Sequence, residues 1–251
     1  MLKNSFLRAN LTNYGEVLEH KYDLAILPWG AIEPHNYHLS YLTDCILSYE
    51  IACDCADKAF TQGVTCMVLP PVLFGSQNAG QWNKPFCVHT RSETQKAILT
   101  DIVTSLYGQG FRKLVIINGH GGNTFKPYIR DLVMVFPDFH LVVADWWAIV
   151  PTDDYFAEKP DEHAGEQETS VMLHYHPELV AMERAGDGIV SPSQIGAVDQ
   201  KIGWMPRNWD EISSDTGIGN PKKSTAEKGK RYVQAVTEKI TELLIDLKEA
   251  P

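Results

Sequence analysis

The sequence predicts an α/β protein built on a mainly parallel central sheet covered by helices on both faces. Three observations carry that reading. Four short apolar runs, at residues 24–27, 64–69, 113–118 and 141–144, lack the polar alternation of a half-solvated sheet, as strands buried on both faces do. Helical periodicity fills the intervals between them, as right-handed crossovers between parallel strands require. Ligand-type side chains follow the strands: Glu33, His35 and Asp44 after the first, Ser76 after the second, His120 after the third, Trp146 and Trp147 after the fourth. Ligands in parallel sheets gather at the carboxyl ends of the strands, so these residues converge on one edge.

Taken in order, a short amphipathic segment around Tyr14, Val17 and Leu18 leads into the first strand, which Pro28 and Gly30 break into the loop GAIEPHNYHLSYLTD. Glu33 and His35 stand two apart, and on extended backbone they project to one side. Asp44 can close on them after a short excursion, and His38 lies within the same loop. Ile46, Ile51, Ala52, Cys55 and Ala59 then recur at helical spacing until Gly63. After the second strand, residues 71–91 have no period but hold Ser76, Asn78, Trp82 and His89, and a long loop in a compact domain is usually functional.

Ser92 and Gln95 form a capping-box pattern ahead of a helix with Ile98, Leu99, Ile102, Val103 and Leu106 on one face. The strand KLVIIN runs straight into NGHGGN. Asn123 and Thr124 stand where a phosphate loop would carry a lysine, so the turn suits presentation of His120 to a metal better than phosphate binding. The segment DEHAGEQETS opens the next helical pattern. If the helix has begun by His163, Glu166 shares its face, whereas Glu168 is turned away from Glu166. Near the C-terminus a capping-box pattern from Ser224 to Glu227 precedes Tyr232, Val233, Val236, Ile240, Leu243, Leu244 and Leu247 at helical spacing. Between these lies the aperiodic stretch 203–220, with Trp204 and Trp209, which reads as a pocket lid or a subunit contact.

The 251 residues, 44% hydrophobic and 22% charged, suit one domain spanning 1–251. A net charge of -10 argues against nucleic acid or an anionic membrane surface as the partner, which leaves a small-molecule substrate. No apolar run is long enough to span a bilayer and MLKNSFLRANL has no signal-peptide core, so a cytoplasmic location is expected. The five cysteines are odd in number, and Cys53 and Cys55 are badly placed to pair, so all are expected as reduced thiols.

Together, GAIEPHNYHLSYLTD, NGHGGN and HAGEQETS resemble the three signature blocks of the creatininase family of metal-dependent amidohydrolases. The resemblance implies a three-layer α/β/α domain with two divalent metal ions, zinc or else manganese or iron, assembled as a homo-oligomer, often a hexamer. It implies Glu33 and His120 on one ion, His35 on the other, Asp44 between both, and His163 as the catalytic histidine. Creatinine hydrolases proper carry a glutamate at the position of Gly122, and Glu166 is the expected replacement ligand. The loop after Ser76 also lacks the family's usual histidine and Phe-Pro-Gly-Thr run, which implies altered substrate contacts. The implied reaction is hydrolysis of an amide, formamide or cyclic amide, with Ser76, Trp146 and Trp147 contacting substrate. A peptide-trimming relative and a non-catalytic metal-binding protein are the other readings.

Overall fold

The computed structural model describes residues 4–251. Helix α1 (Tyr14–Glu19) buries no residue and leads into β1 (Leu24–Trp29), followed by α2 (Thr43–Thr61) and β2 (Cys66–Val68). Next come α3 (Ser92–Gly108), β3 (Lys113–Asn118), α4 (Lys126–Val135) and β4 (His140–Asp145). Helix α5 (Glu166–Tyr175), two single turns α6 (Gly196–Asp199) and α7 (Trp209–Ile212), and the long α8 (Ala226–Glu249) complete the chain.

The four strands form one parallel sheet in the order β2-β1-β3-β4. Alternation within each strand sends side chains to two cores, as the period of two requires. Leu24, Ile26, Val115 and Ile117 pack with α2, α5 and α8 on one face, and Ala25, Leu27, Leu114 and Ile116 pack with α3 and α4 on the other. Cys45, Cys53, Cys55 and Cys66 are buried free thiols, and Cys87 is half-buried and free. No helix among the described residues is long and apolar enough to cross a membrane.

The carboxyl ends of three strands are level, with Trp29 beside Asn118 and Asn118 beside Asp145. Asn118 locks this edge: its Nδ2 donates to Asp145 Oδ1 at 2.8 Å, and its Oδ1 accepts from the His120 main-chain N–H at 3.2 Å. Two expected caps differ. At α3 the cap is Arg91, without a side-chain bond, because Gln95 turns its amide to Asn123 Oδ1 instead. At α8 the cap is Thr225, whose hydroxyl accepts from Lys228 N, so the box is displaced by one residue.

Candidate metal centre

Six buried or half-buried side chains from three loops and two helices meet above this edge. Their donor atoms fall into three overlapping groups, Glu33–Asp44–His120, His35–Asp44–Glu168 and Glu33–His35–His163, each with all its atoms within 4.8 Å of one another. Asp44 opens the first turn of α2 and reaches both histidines, with Oδ1 2.9 Å from His35 Nε2 and Oδ2 3.2 Å from His120 Nδ1. That Oδ2 is buried without a hydrogen bond. Glu33 Oε1 lies 2.9 Å from His120 Nδ1, 3.9 Å from His35 Nε2 and 3.7 Å from His163 Nδ1.

Each histidine is aimed the same way. His35 Nδ1 donates to Glu33 O at 3.1 Å, His120 Nε2 to Ser76 O at 2.8 Å, and His163 Nε2 to Pro34 O at 3.0 Å. One ring nitrogen is thereby spent on a main-chain carbonyl, and the other faces the carboxylates. Burial opposes charge on His35, but Asp44, Glu168 and Glu33 outweigh it and push the imidazole up to about 10. His120 behaves alike, raised by Glu33 and Asp44 against burial. Asp44 is held below the usual carboxylate range by His35 and His120 against its burial. Burial, with His35 nearby, pushes His163 down, and burial with Asp44 nearby pushes Glu168 up.

Several expected site residues need correction. Glu166 is not in the cluster. The helix starts at Glu166 rather than at His163, because the chain makes a left-handed turn at Ala164 (φ 50°) and the helical face assumed for His163 and Glu166 does not exist. Glu166 instead accepts from the N–H groups of Ala157 and Glu158 at 2.8 Å each and pairs with Lys228. Glu168, expected to turn away, is the carboxylate that joins His35 and Asp44. Trp146 is fully buried, edge-on to Tyr232 and Trp147, and Trp147 packs half-buried on the same core. Ser76 enters through its main chain: its carbonyl holds His120, while its hydroxyl donates to Thr90 O at 2.7 Å.

Two side chains were not singled out for the site by sequence reasoning. Trp209 lies edge-on to His163 with ring centroids 5.6 Å apart, anchored by its Nε1 donating to Thr216 O at 2.8 Å. Gln81, 1% exposed, donates to Glu33 Oε2. The only signal for either was its place in a long aperiodic loop. Gly122 has a steric reason to be bare, since a Cβ there would come within 2.0 Å of Ser76 O and 2.4 Å of His120 Nε2. A glutamate at that position is incompatible with this backbone.

An α/β domain with a buried carboxylate–imidazole cluster at the carboxyl edge of its sheet matches one family in particular. The creatininase family profile, described as creatinine amidohydrolase, matches residues 10–244, and the chain belongs to that family. A crystal structure from Bacteroides fragilis, described as a provisional creatinine amidohydrolase, is 53% identical and superposes with a TM-score of 0.97 over 99% of this chain and 98% of its own. The creatinine amidohydrolase of Pseudomonas putida is 28% identical over 64% of this chain and 68% of its own length. A mycofactocin precursor peptide peptidase of Mycobacterium ulcerans is 26% identical over 82% of this chain and 78% of its own. The 3-dehydro-scyllo-inosose hydrolase of Thermotoga maritima is 25% identical over 90% of this chain and 78% of its own. A glutamate-to-glutamine mutant creatininase described as Zn-Zn type shares the fold at 23% identity and a TM-score of 0.79 over 96% of this chain and 97% of its own.

Proposed function

We propose that the chain is a dinuclear metal-dependent hydrolase of a non-peptide carbon–nitrogen bond in a small molecule, an amide, formamide or cyclic amide. The observation that carries this reading is the common aim of His35, His120 and His163, each tied back to a carbonyl and turned onto the same carboxylates. Oxygen and imidazole donors suit zinc, and also manganese or iron. Asp44 Oδ2, buried without a hydrogen bond and facing His120, fits a cation held with Glu33 and His120. Glu33, Asp44 and His120 would hold one ion, and His35, Asp44 and Glu168 the other, with Asp44 common to both.

Two such ions would supply a water of lowered pKa and polarise a substrate carbonyl. His163 is placed for proton transfer: its Nδ1 stands 3.7 Å from Glu33, further out than the 2.9 Å contacts of His35 and His120, and burial favours the neutral ring, free to accept a proton. Trp209 lies edge-on against its ring.

Elemental analysis should find two divalent ions per chain. The metal-loaded protein should then be assayed on formamides, lactams, creatinine, an inosose and a peptide. Turnover of a formamide or lactam above creatinine supports the reading, turnover of the inosose or peptide alone replaces the substrate class, and zero or one ion per chain overturns the dinuclear site.

A further inference from the structure

Glu33 divides its carboxylate between two neighbours. Oε1 faces His120, while Oε2 accepts from the Gln81 side-chain amide at 2.5 Å. Gln81 belongs to the long loop between β2 and α3, and that loop is clamped against the segment that carries Trp209. Gly80 has φ 79°, and a Cβ there would lie 2.5 Å from both Asn208 Oδ1 and Asp210 N. Trp209 N donates to Ala79 O at 2.8 Å, and Lys84 pairs with Asp210. One run of contacts therefore joins Glu33, Gln81, the Gly80 backbone, Trp209 and His163.

Resting on the metal-centre reading above, we propose that Gln81 is a positioning residue that restricts Glu33 to a single coordinating oxygen, Oε1, for the ion held with Asp44 and His120, and that the seating of its loop against Trp209 sets that ion's affinity. A carboxylate free at both oxygens can swing between one and two bonds to a cation. One fixed by a neutral amide donor cannot. Partners of this kind, one bond behind the ligands, typically change metal affinity by about 10–100-fold when removed. The Glu33–His35–His163 group uses the same Oε1, so the restriction also keeps Glu33 turned toward the proton-transfer histidine.

The test measures Zn²⁺ dissociation constants by chelator competition for the native chain, Gln81→Met and Gly80→Ala. Methionine nearly matches glutamine in volume and cannot donate. Gly80→Ala removes no polar atom but forces the two segments apart. The expected result is one Zn²⁺ bound about 10–100-fold more weakly in Gln81→Met while the other stays within about twofold of native, a split that a general loss of fold does not produce. Gly80→Ala should weaken the same ion in the same direction, so it still tests the idea should Gln81→Met fold poorly. Unchanged affinities in Gln81→Met, or equal weakening of both ions, overturn the role of Gln81. Native affinity in Gly80→Ala overturns the coupling to the loop. A native chain that binds no Zn²⁺ removes the metal centre itself, an outcome separate from the others.

Discussion

Glu166 and Glu168 stand two residues apart at the start of α5 and belong to different parts of the molecule. Glu166 points into a cage of two main-chain N–H groups and Lys228, and Glu168 points at His35 and Asp44. Two residues along a helix is a turn of roughly 200°, so one carboxylate facing the cluster obliges the other to face away. Replacing them separates structure from chemistry. Glu168→Gln should leave one divalent ion per chain instead of two, read by elemental analysis after dialysis, and Glu166→Gln should keep both. The reverse pattern would return the ligand role to Glu166.

Glu166 instead contributes to stability. Its carboxylate is fully buried, and Lys228 with the two N–H groups holds its pKa below the ordinary value against the cost of burial. A depressed carboxyl pKa stabilises the fold above the unfolded-state pKa, and that contribution is lost as pH falls through the folded value. Lys228→Met leaves a buried acceptor short of its charged partner and should cost about 1–3 kcal/mol at neutral pH. The deficit relative to the native chain should shrink at acid pH as Glu166 takes up a proton. Urea denaturation at neutral and acid pH measures both, and a deficit independent of pH would contradict this account.

Much of this was readable in the sequence where a pattern maps onto one outcome. Apolar runs of four to six residues without alternation, bounded by turn residues, fit strands buried on both sides, so all four strands and the edge carrying Glu33, His35, Asp44 and His120 were legible. Position within DEHAGEQETS was not. The choice between Glu166 and Glu168 turns on where α5 begins, and a single left-handed residue, Ala164, decides that. Trp146 and Trp147 follow β4, where residues lining a site stand in a parallel sheet, but a large aromatic after a strand serves equally as core, and here Tyr232 from α8 packs on Trp146. Gln81 was out of reach because an uncharged amide in an aperiodic loop acquires its role only when the fold brings it to Glu33.

Asp44 is the side chain whose loss should matter most for metal content. Its two oxygens serve the two halves of the cluster, one against His35 and the other against His120. Asp44→Ala should therefore lose both ions, whereas Glu168→Gln loses one. Retention of a full complement in Asp44→Ala would refute its place between the two ions.

Metal uptake should release protons. In the metal-free protein His35 is pushed up to about 10 and His120 is also raised, so both rings are charged at neutral pH, and each must give up a proton to bind a cation. Affinity should rise with pH across the neutral range, and titration calorimetry in buffers of different ionisation enthalpy should show between two and three protons released when both ions load, the excess over two coming from Glu168, which burial pushes up to about 7. Zero release would mean that the rings are already neutral in solution.

His163 should separate turnover from metal binding. Its Nε2 is committed to Pro34 O and its bare Nδ1 stands back from Glu33, so the ring can trade a proton without serving either proposed ion. His163→Ala should keep two ions per chain and slow turnover by about 10²–10⁴-fold, the range for a general acid–base group. Burial and the neighbouring His35 disfavour its charged form, so its pKa lies below the 6.5 of an exposed imidazole and the neutral base is present at pH 7. The acid limb of the native rate should accordingly fall below pH 6.5, and it should vanish in His163→Ala if no other group takes over. Loss of an ion in His163→Ala would instead make His163 a ligand, as its place in the Glu33–His35–His163 group permits, and would leave the proton transfer to Glu168, whose raised pKa suits it to the task.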